Sequence, residues 1–150
     1  MNVKQISVVL SNEPGSVLKM AQTLSENDIY IRALTVADSS TFSTVRIIVD
    51  NVLWASSVLK DAGFTVNLSD VIAAGVPDTS GGLAEVLKVL YGAGINIDYM
   101  YEIRGNRMHF SAGGTELQIF VFKVSDNAKT VEAFISAGIE IFGQGELSAL

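Results

Sequence analysis

The chain repeats itself, and a duplication constrains a fold more than any single motif in it. A shift of 66 residues lays Gly15 on Gly81, Asn12 on Asp78, Val17 on Leu83, Leu24 on Leu90, Ile29 on Ile95 and Ile31 on Ile97. Farther along each copy the best shift becomes 75, which lays Val45, Ile47 and Val49 on Phe120, Phe122 and Val124, and Ala62-Gly63 on Ala137-Gly138. The second copy therefore carries nine extra residues, within RGNRMHFSAGGTE, Arg104 to Glu116. A chain of 150 residues can bury one substantial core or two small ones. The repeat decides for two domains, 1–69 and 70–150.

Each copy reads strand, helix, strand, strand, helix, strand. Ile6, Val8 and Leu10 alternate as a strand face, and Val17, Ala21 and Leu24 step along one face of a helix that starts at Pro14-Gly15. Strands are expected over Ile29 to Ala37 and Phe42 to Val49. Asp50 or Asn51 then caps a helix with an apolar face of Ala55, Val58, Leu59 and Ala62, which Gly63 stops. Phe64, Val66 and Leu68 form the last strand, with only Ser69 and Asp70 to turn on before the next copy. The second copy gives a Leu83, Leu87, Leu90 helix stopped near Gly94 and a hairpin of Ile95 to Arg104 with Thr115 to Val124. A Val131, Phe134, Ile135 helix stopped at Gly138 and a strand at Ile139 to Phe142 complete it. Two βαββαβ units of this kind are two ferredoxin-like α+β domains, side by side, each an antiparallel sheet with its helices on one face. The other face would be bare and apolar, which predicts a homodimer. The second strands should be edge strands, near the seam between the domains.

The net charge of −6, with 10 scattered Lys and Arg, argues against nucleic acid. Strand three, STVRIIV and LQIFVFK, also lacks the stacking motif of an RNA-binding sheet. There is no cysteine, so disulfides and thiolate sites are excluded. The opening MNVKQISVVLSNEPG alternates like a strand and shows no signal-peptide core, and no run approaches a membrane span. The expectation is a soluble, cytoplasmic protein without a membrane partner. No nucleophile elbow, HExxH or carboxylate pair stands out, so neither an enzyme nor a metal or cofactor is expected.

The loops between strand one and helix one hold the remaining signal. Glycine at a helix start lets a ligand approach the backbone, and the unpaired first-turn amides attract a carboxylate. NEPGSVLKMAQTLSENDIYIRALTV and DTSGGLAEVLKVLYGAGINIDYMY both resemble the opening of an ACT domain, which runs DxPGxL, a helix, a small residue, then Asn-Ile into strand two. The first is most similar to the ACT domain of the acetolactate synthase regulatory subunit; the second has Ser80 where the pattern has proline. The resemblance implies a free amino acid bound at the domain seam, by Asn12, Glu13, Gly15 and Ser16 in one half-site and Asp78, Ser80, Gly81, Gly82 and Leu83 in the other. The Asn of the Asn-Ile motif is Asn96, with Tyr30 at its counterpart.

Plainer readings stand beside these. Pro-Gly also merely starts helices, and Asp78 and Ser80 also serve as simple caps. Tyr99, Met100 and Tyr101 form a pocket wall or pack in a core, with packing favoured for Met100. His109, in the inserted hairpin with Phe110 and two glycines, is an ordinary loop histidine or part of a mobile lid, the former favoured. At the level of function, the choice lies between an amino-acid-sensing regulatory module and a regulatory subunit of a biosynthetic enzyme such as acetolactate synthase.

Overall fold

The computed structural model describes residues 2–39, 41–103, 109–110 and 113–149, the last-named pair, 109–110, by backbone alone. The chain packs as two compact units, Lys4–Ser69 and the part from Asp70 onward with residues 1–3.

The N-terminal unit runs β1 (Val3–Ser11), α1 (Ser16–Glu26), β2 (Ile31–Asp38), β3 (Phe42–Val49), α2 (Val52–Asp61) and the first part of β4 (Thr65–Pro77). Its sheet order is β2-β3-β1-β4, antiparallel where β3 meets its neighbours, with Ile6 opposite Ile47 and Val8 opposite Val45. Ile6, Val8, Val45 and Ile47 meet Met20 and Leu24 of α1 and Ala55 and Leu59 of α2 in one core. Each of the larger side chains among them contributes about 1.5–3 kcal/mol by leaving water. Asn51 caps α2, its Oδ1 accepting from the Trp54 amide at 3.1 Å. Gly63 ends the helix at φ 90°, a backbone state that costs glycine nothing.

The C-terminal unit continues with the rest of β4, α3 (Gly82–Gly92), β5 (Ile97–Glu102), β6 (His109–Phe110), β7 (Glu116–Val124), α4 (Asn127–Ser136), β8 (Ile141–Phe142) and α5 (Gln144–Ser148). Its sheet order is β8-β4-β7-β5, with β6 beside β7. The core joins Ile72, Ala74, Val76, Phe122 and Val124 to Val86 and Leu90 of α3 and Phe134 of α4. Asp126 caps α4 through the Lys129 amide at 3.0 Å. Both units are thus ferredoxin-like, and in each the second strand lies at the sheet edge and bulges at its start, between Ile31 and Ala33 and between Ile97 and Tyr99.

Several expectations need correction. No turn occurs at Ser69-Asp70, because β4 runs unbroken for 13 residues. Neither residue forces a bend, and Ser69 Oγ accepts from Gln5 Nε2 at 3.2 Å. Ile135 is 66 % exposed and Leu83 39 %, while Leu87, Leu90, Val131 and Phe134 of the expected faces pack in or on the core, joined by the buried Val86 and Thr130. Strands β6 and helix α5 carry no repeat counterpart and were not expected. Most of the Arg104 to Glu116 insertion, and the side chain of His109 within it, lie outside the described residues.

Candidate functional site

The two strand-one to helix-one loops share one backbone design. In the C-terminal unit the Asp78 amide donates to the Glu116 carbonyl (2.9 Å), Thr79 to Pro77 (2.9 Å), Gly82 to Thr79 (3.1 Å) and Glu85 to Gly81 (3.1 Å). In the N-terminal unit the equivalent bonds join Asn12 to Thr41 (3.4 Å), Glu13 to Ser11 (2.9 Å), Ser16 to Glu13 (3.3 Å) and Lys19 to Gly15 (2.9 Å). The first side chain of each loop is also held alike. Gln118 Nε2 donates to Asp78 Oδ2, and Ser43 Oγ to Asn12 Oδ1, both at 3.5 Å.

Side chains and glycines diverge on this common frame. Gly15 sits in the left-handed region at φ 89°, whereas Gly81 has φ −101°, open to any residue. Gly82 is buried, and a Cβ there would overlap the Pro77 carbonyl, so its glycine serves packing. Because the Gly82 amide is engaged by Thr79, it offers no donor to a ligand; the later first-turn amides, Leu83 and Ala84, are the donors a helix start leaves over. The caps of α1 and α3 are Gly15 and Gly81, without a side-chain capping bond, so the cap reading of Asp78 and Ser80 is set aside. Glu13 is exposed, within 3.5 Å of Ser11 Oγ, and Ser11 and Ser16 hydroxyls meet at 3.1 Å.

A cavity of about 220 Å³ opens beside the C-terminal loop, lined by Val76, Pro77, Asp78, Thr79, Leu83, Glu102, Gln118 and Phe120. Asp78 and Leu83 were foreseen in it. Glu102, Gln118 and Phe120 were not, although strand alternation carries them: Glu102 pairs with Phe120 and Gln118 with Val76, on the face shared with core Phe122. Among the described residues, the charged groups lining it are Asp78 and Glu102. The N-terminal unit has Asn12 for Asp78, Val36 for Glu102, Ser43 for Gln118 and Val45 for Phe120.

Asn96 is not brought to this loop. It precedes β5 at the other end of α3, an 11-residue helix roughly 16 Å long. There its Nδ2 donates to Asp98 Oδ1 at 3.3 Å and its amide to Ser125 Oγ at 3.0 Å. The matching N-terminal positions hold Tyr30, Arg32 and Asp50. Arg32 grips the Asp50 carboxylate with Nε at 2.8 Å and Nη2 at 3.0 Å and lies 4.3 Å over the Tyr30 ring. The Asp50 hydrogen bond raises the Arg32 pKa above its ordinary value against a smaller desolvation effect. Met100 packs on the C-terminal core, and Tyr99 stacks on the buried Tyr101 at 6.4 Å; none of the three lines the cavity. Among the described residues no helix is long and apolar enough to cross a membrane, and no cluster of His, Cys, Asp and Glu is placed to hold a metal.

Compared with known proteins, residues 1–150 match the family described as the ACT domain pair. No curated protein matches the sequence. Among solved structures, a protein of Bacteroides thetaiotaomicron is similar at 29% identity and a TM-score of 0.87, covering 100% of this chain and 98% of that one. The regulatory subunit of aspartate kinase from Thermus thermophilus aligns at 16% identity with a TM-score of 0.60, over 89% of this chain and 91% of its own. That from Thermus flavus aligns at 17% and 0.60, over 91% and 93%. At these identities the two kinase subunits share the fold and nothing finer.

Proposed function

The chain belongs to the family of ACT domain pairs, and we propose that it is a regulatory module, not an enzyme, that binds a free α-amino acid at the Asp78–Leu83 loop of its C-terminal unit. One observation carries this reading: a single cavity brings Leu83, in the first turn of α3, together with the two acidic residues Asp78 and Glu102. An amino acid is a zwitterion. Its carboxylate suits the first-turn amides of α3, where an anion gains about 0.3–1 kcal/mol from the helix dipole. Its ammonium suits Asp78 and Glu102, and Val76, Leu83 and Phe120 give an apolar wall to the side chain. The N-terminal loop, with Asn12 and Val36 in place of the two acids, is the weaker candidate. The aspartate kinase regulatory subunits that share the fold agree with a regulatory role.

A thermal-shift screen of all twenty amino acids tests the proposal. A ligand at a hundred times its dissociation constant stabilises the chain by about 2.7 kcal/mol. The double variant Asp78→Asn with Glu102→Gln should lose that response. Gly81→Val should weaken it by crowding the helix start without strain, since a Cβ at Gly81 meets nothing within 4 Å. If no amino acid moves the wild-type curve, or if the double variant responds in full, the sensing proposal fails and the partner-subunit reading takes its place.

A further inference from the structure

Three large apolar side chains stand out at one end of the N-terminal unit, where the end of α1 and the start of β2 meet the end of β3 and the start of α2. Leu53 is 79 % exposed, Tyr30 52 % and Trp54 49 %. The two aromatics are held in place. The Trp54 amide donates to Asn51 Oδ1 at 3.1 Å, and its indole Nε1 donates to the Asn27 carbonyl at 3.5 Å. Tyr30 lies 4.3 Å beneath the Arg32 guanidinium, which Asp50 grips with both oxygens. Side chains already fixed in this way lose little freedom when a partner covers them. The C-terminal copy has Asn96, Ala128 and Lys129 at the positions of Tyr30, Leu53 and Trp54. The same fold therefore forms with small and polar residues at this end, and the aromatic surface is a property of one copy alone.

We propose that this end of the N-terminal unit docks a peptide segment of a partner protein in which basic residues flank apolar ones. Exposed apolar side chains grouped at one place mark interaction surfaces, and Trp and Tyr carry a large share of the energy in such surfaces. Charge selects the partner. Segments 26–32 and 50–54, which meet here, carry Glu26, Asp28 and Asp50 against Arg32, and Arg32 is engaged by Asp50. Glu26 and Asp28 are exposed on either side of the Asn27 whose carbonyl meets the indole. A lysine or arginine of the partner is attracted by both acids and by the face of Trp54, while its apolar neighbours cover Leu53 and Tyr30. The same surface of a second copy would bring the same acids and be repelled. This docking surface goes beyond the amino-acid loop and does not rest on it.

Trp54 is the only tryptophan of the chain and so reports on the surface directly. The test follows its emission in the full-length protein as the capped hexapeptide Lys-Leu-Lys-Phe-Leu-Lys is added. One control peptide has glutamate for each lysine, and another has serine for each apolar residue. A saturable change is expected with the first peptide, none with the acidic one, and binding about tenfold weaker or worse with the serine one. Tyr30→Asn with Leu53→Ala copies the C-terminal unit, keeps the reporter, and should weaken binding beyond about tenfold. Glu26→Gln with Asp28→Asn should weaken it roughly two- to fivefold, the scale of exposed charge pairs. Asparagine tolerates the φ of 56° at position 28, and all four side chains are exposed, so both double variants should keep the wild-type circular dichroism. The inference is overturned if no saturable change appears, if the acidic peptide binds equally well, or if either double variant binds as tightly as wild type. It is also overturned if sedimentation shows a dimer that Tyr30→Asn with Leu53→Ala abolishes, since a second copy would then occupy the surface.

Discussion

The two units hold their loops with matching backbone hydrogen bonds, yet set different chemistry upon them. Asp78 and Glu102 make the C-terminal cavity acidic where Asn12 and Val36 leave the N-terminal position neutral. At the far end of the first helix the contrast reverses. The N-terminal unit has a two-pronged Arg32–Asp50 pair, and the C-terminal unit has the modest Asn96, Asp98 and Ser125 cluster. Backbone polar groups must be satisfied for the fold to form, so both copies keep those bonds. Side chains at a loop's surface carry no such obligation. The side-chain chemistry at the two ends of each unit is therefore free to differ, and the two copies differ at both ends.

The strongest way to break this comparison is at the glycine beneath the C-terminal loop. Gly82→Val drives a side chain into the Pro77 carbonyl, and we expect a loss of about 3 kcal/mol in urea unfolding, at the upper end for overpacking. Ser16→Ala, at the equivalent N-terminal position, should stay within about 0.5 kcal/mol. Equal losses would mean that the two loops pack alike. Grafting the acids onto the first copy, by Asn12→Asp with Val36→Glu, sharpens the comparison from the other side. If the wild type binds at the C-terminal loop as proposed, calorimetry should then count two amino-acid sites in place of one, and an unchanged count would show that the acids are not what distinguishes the copies.

Smaller effects follow from the backbone and the ion pair. Gly15→Ala should cost about 1–2 kcal/mol, the penalty for a left-handed residue with a Cβ. Gly81→Ala should be neutral or gain about 0.4–1 kcal/mol by stiffening the unfolded chain. Equal midpoints for the two variants would contradict the difference in φ. Last, Arg32→Ala should cost about 1 kcal/mol, since the pair is bidentate and half sheltered. Asp98→Ala should cost no more than about 0.5 kcal/mol. With its pKa raised, Arg32 keeps its proton through neutral and moderately alkaline pH; its contribution is lost only as pH rises through that elevated value. An Arg32→Ala penalty that vanished near pH 9 would refute this assignment.

Much of the fold was legible because apolar spacing and glycine stops both recur. Phe42 to Val49 matches β3, Gly63 and Gly138 both end helices at positive φ, and Asn51 caps α2. Helical phase was less legible. Leu83 and Ile135 are apolar enough to look like core, but Val86 and Thr130 lie on the inward side, and hydrophobicity alone does not say which of several candidates a helix turns inward. The candidate site was half legible. Asp78 and Leu83 announced themselves through the loop motif, whereas Glu102 and Gln118 belong to strands distant in sequence and reach the cavity only through sheet register. Asn96 misled because a motif lists residues in order and is silent about helix length.

Strand β4 places one further demand on the chain's history. Its even-numbered side chains point beneath the helices in both units: Val66 packs against the N-terminal core, and Ile72, Ala74 and Val76 belong to the C-terminal one. With no turn at Ser69-Asp70 to absorb a change of phase, inserting or deleting a single residue between Val66 and Ile72 would keep one unit's parity and invert the other's. Evolution can lengthen or shorten this segment only by two residues at a time, or by inventing a bulge. Descendants of the same duplication should therefore differ here by even numbers, while the hairpin loop between β5 and β7 is free to vary by any.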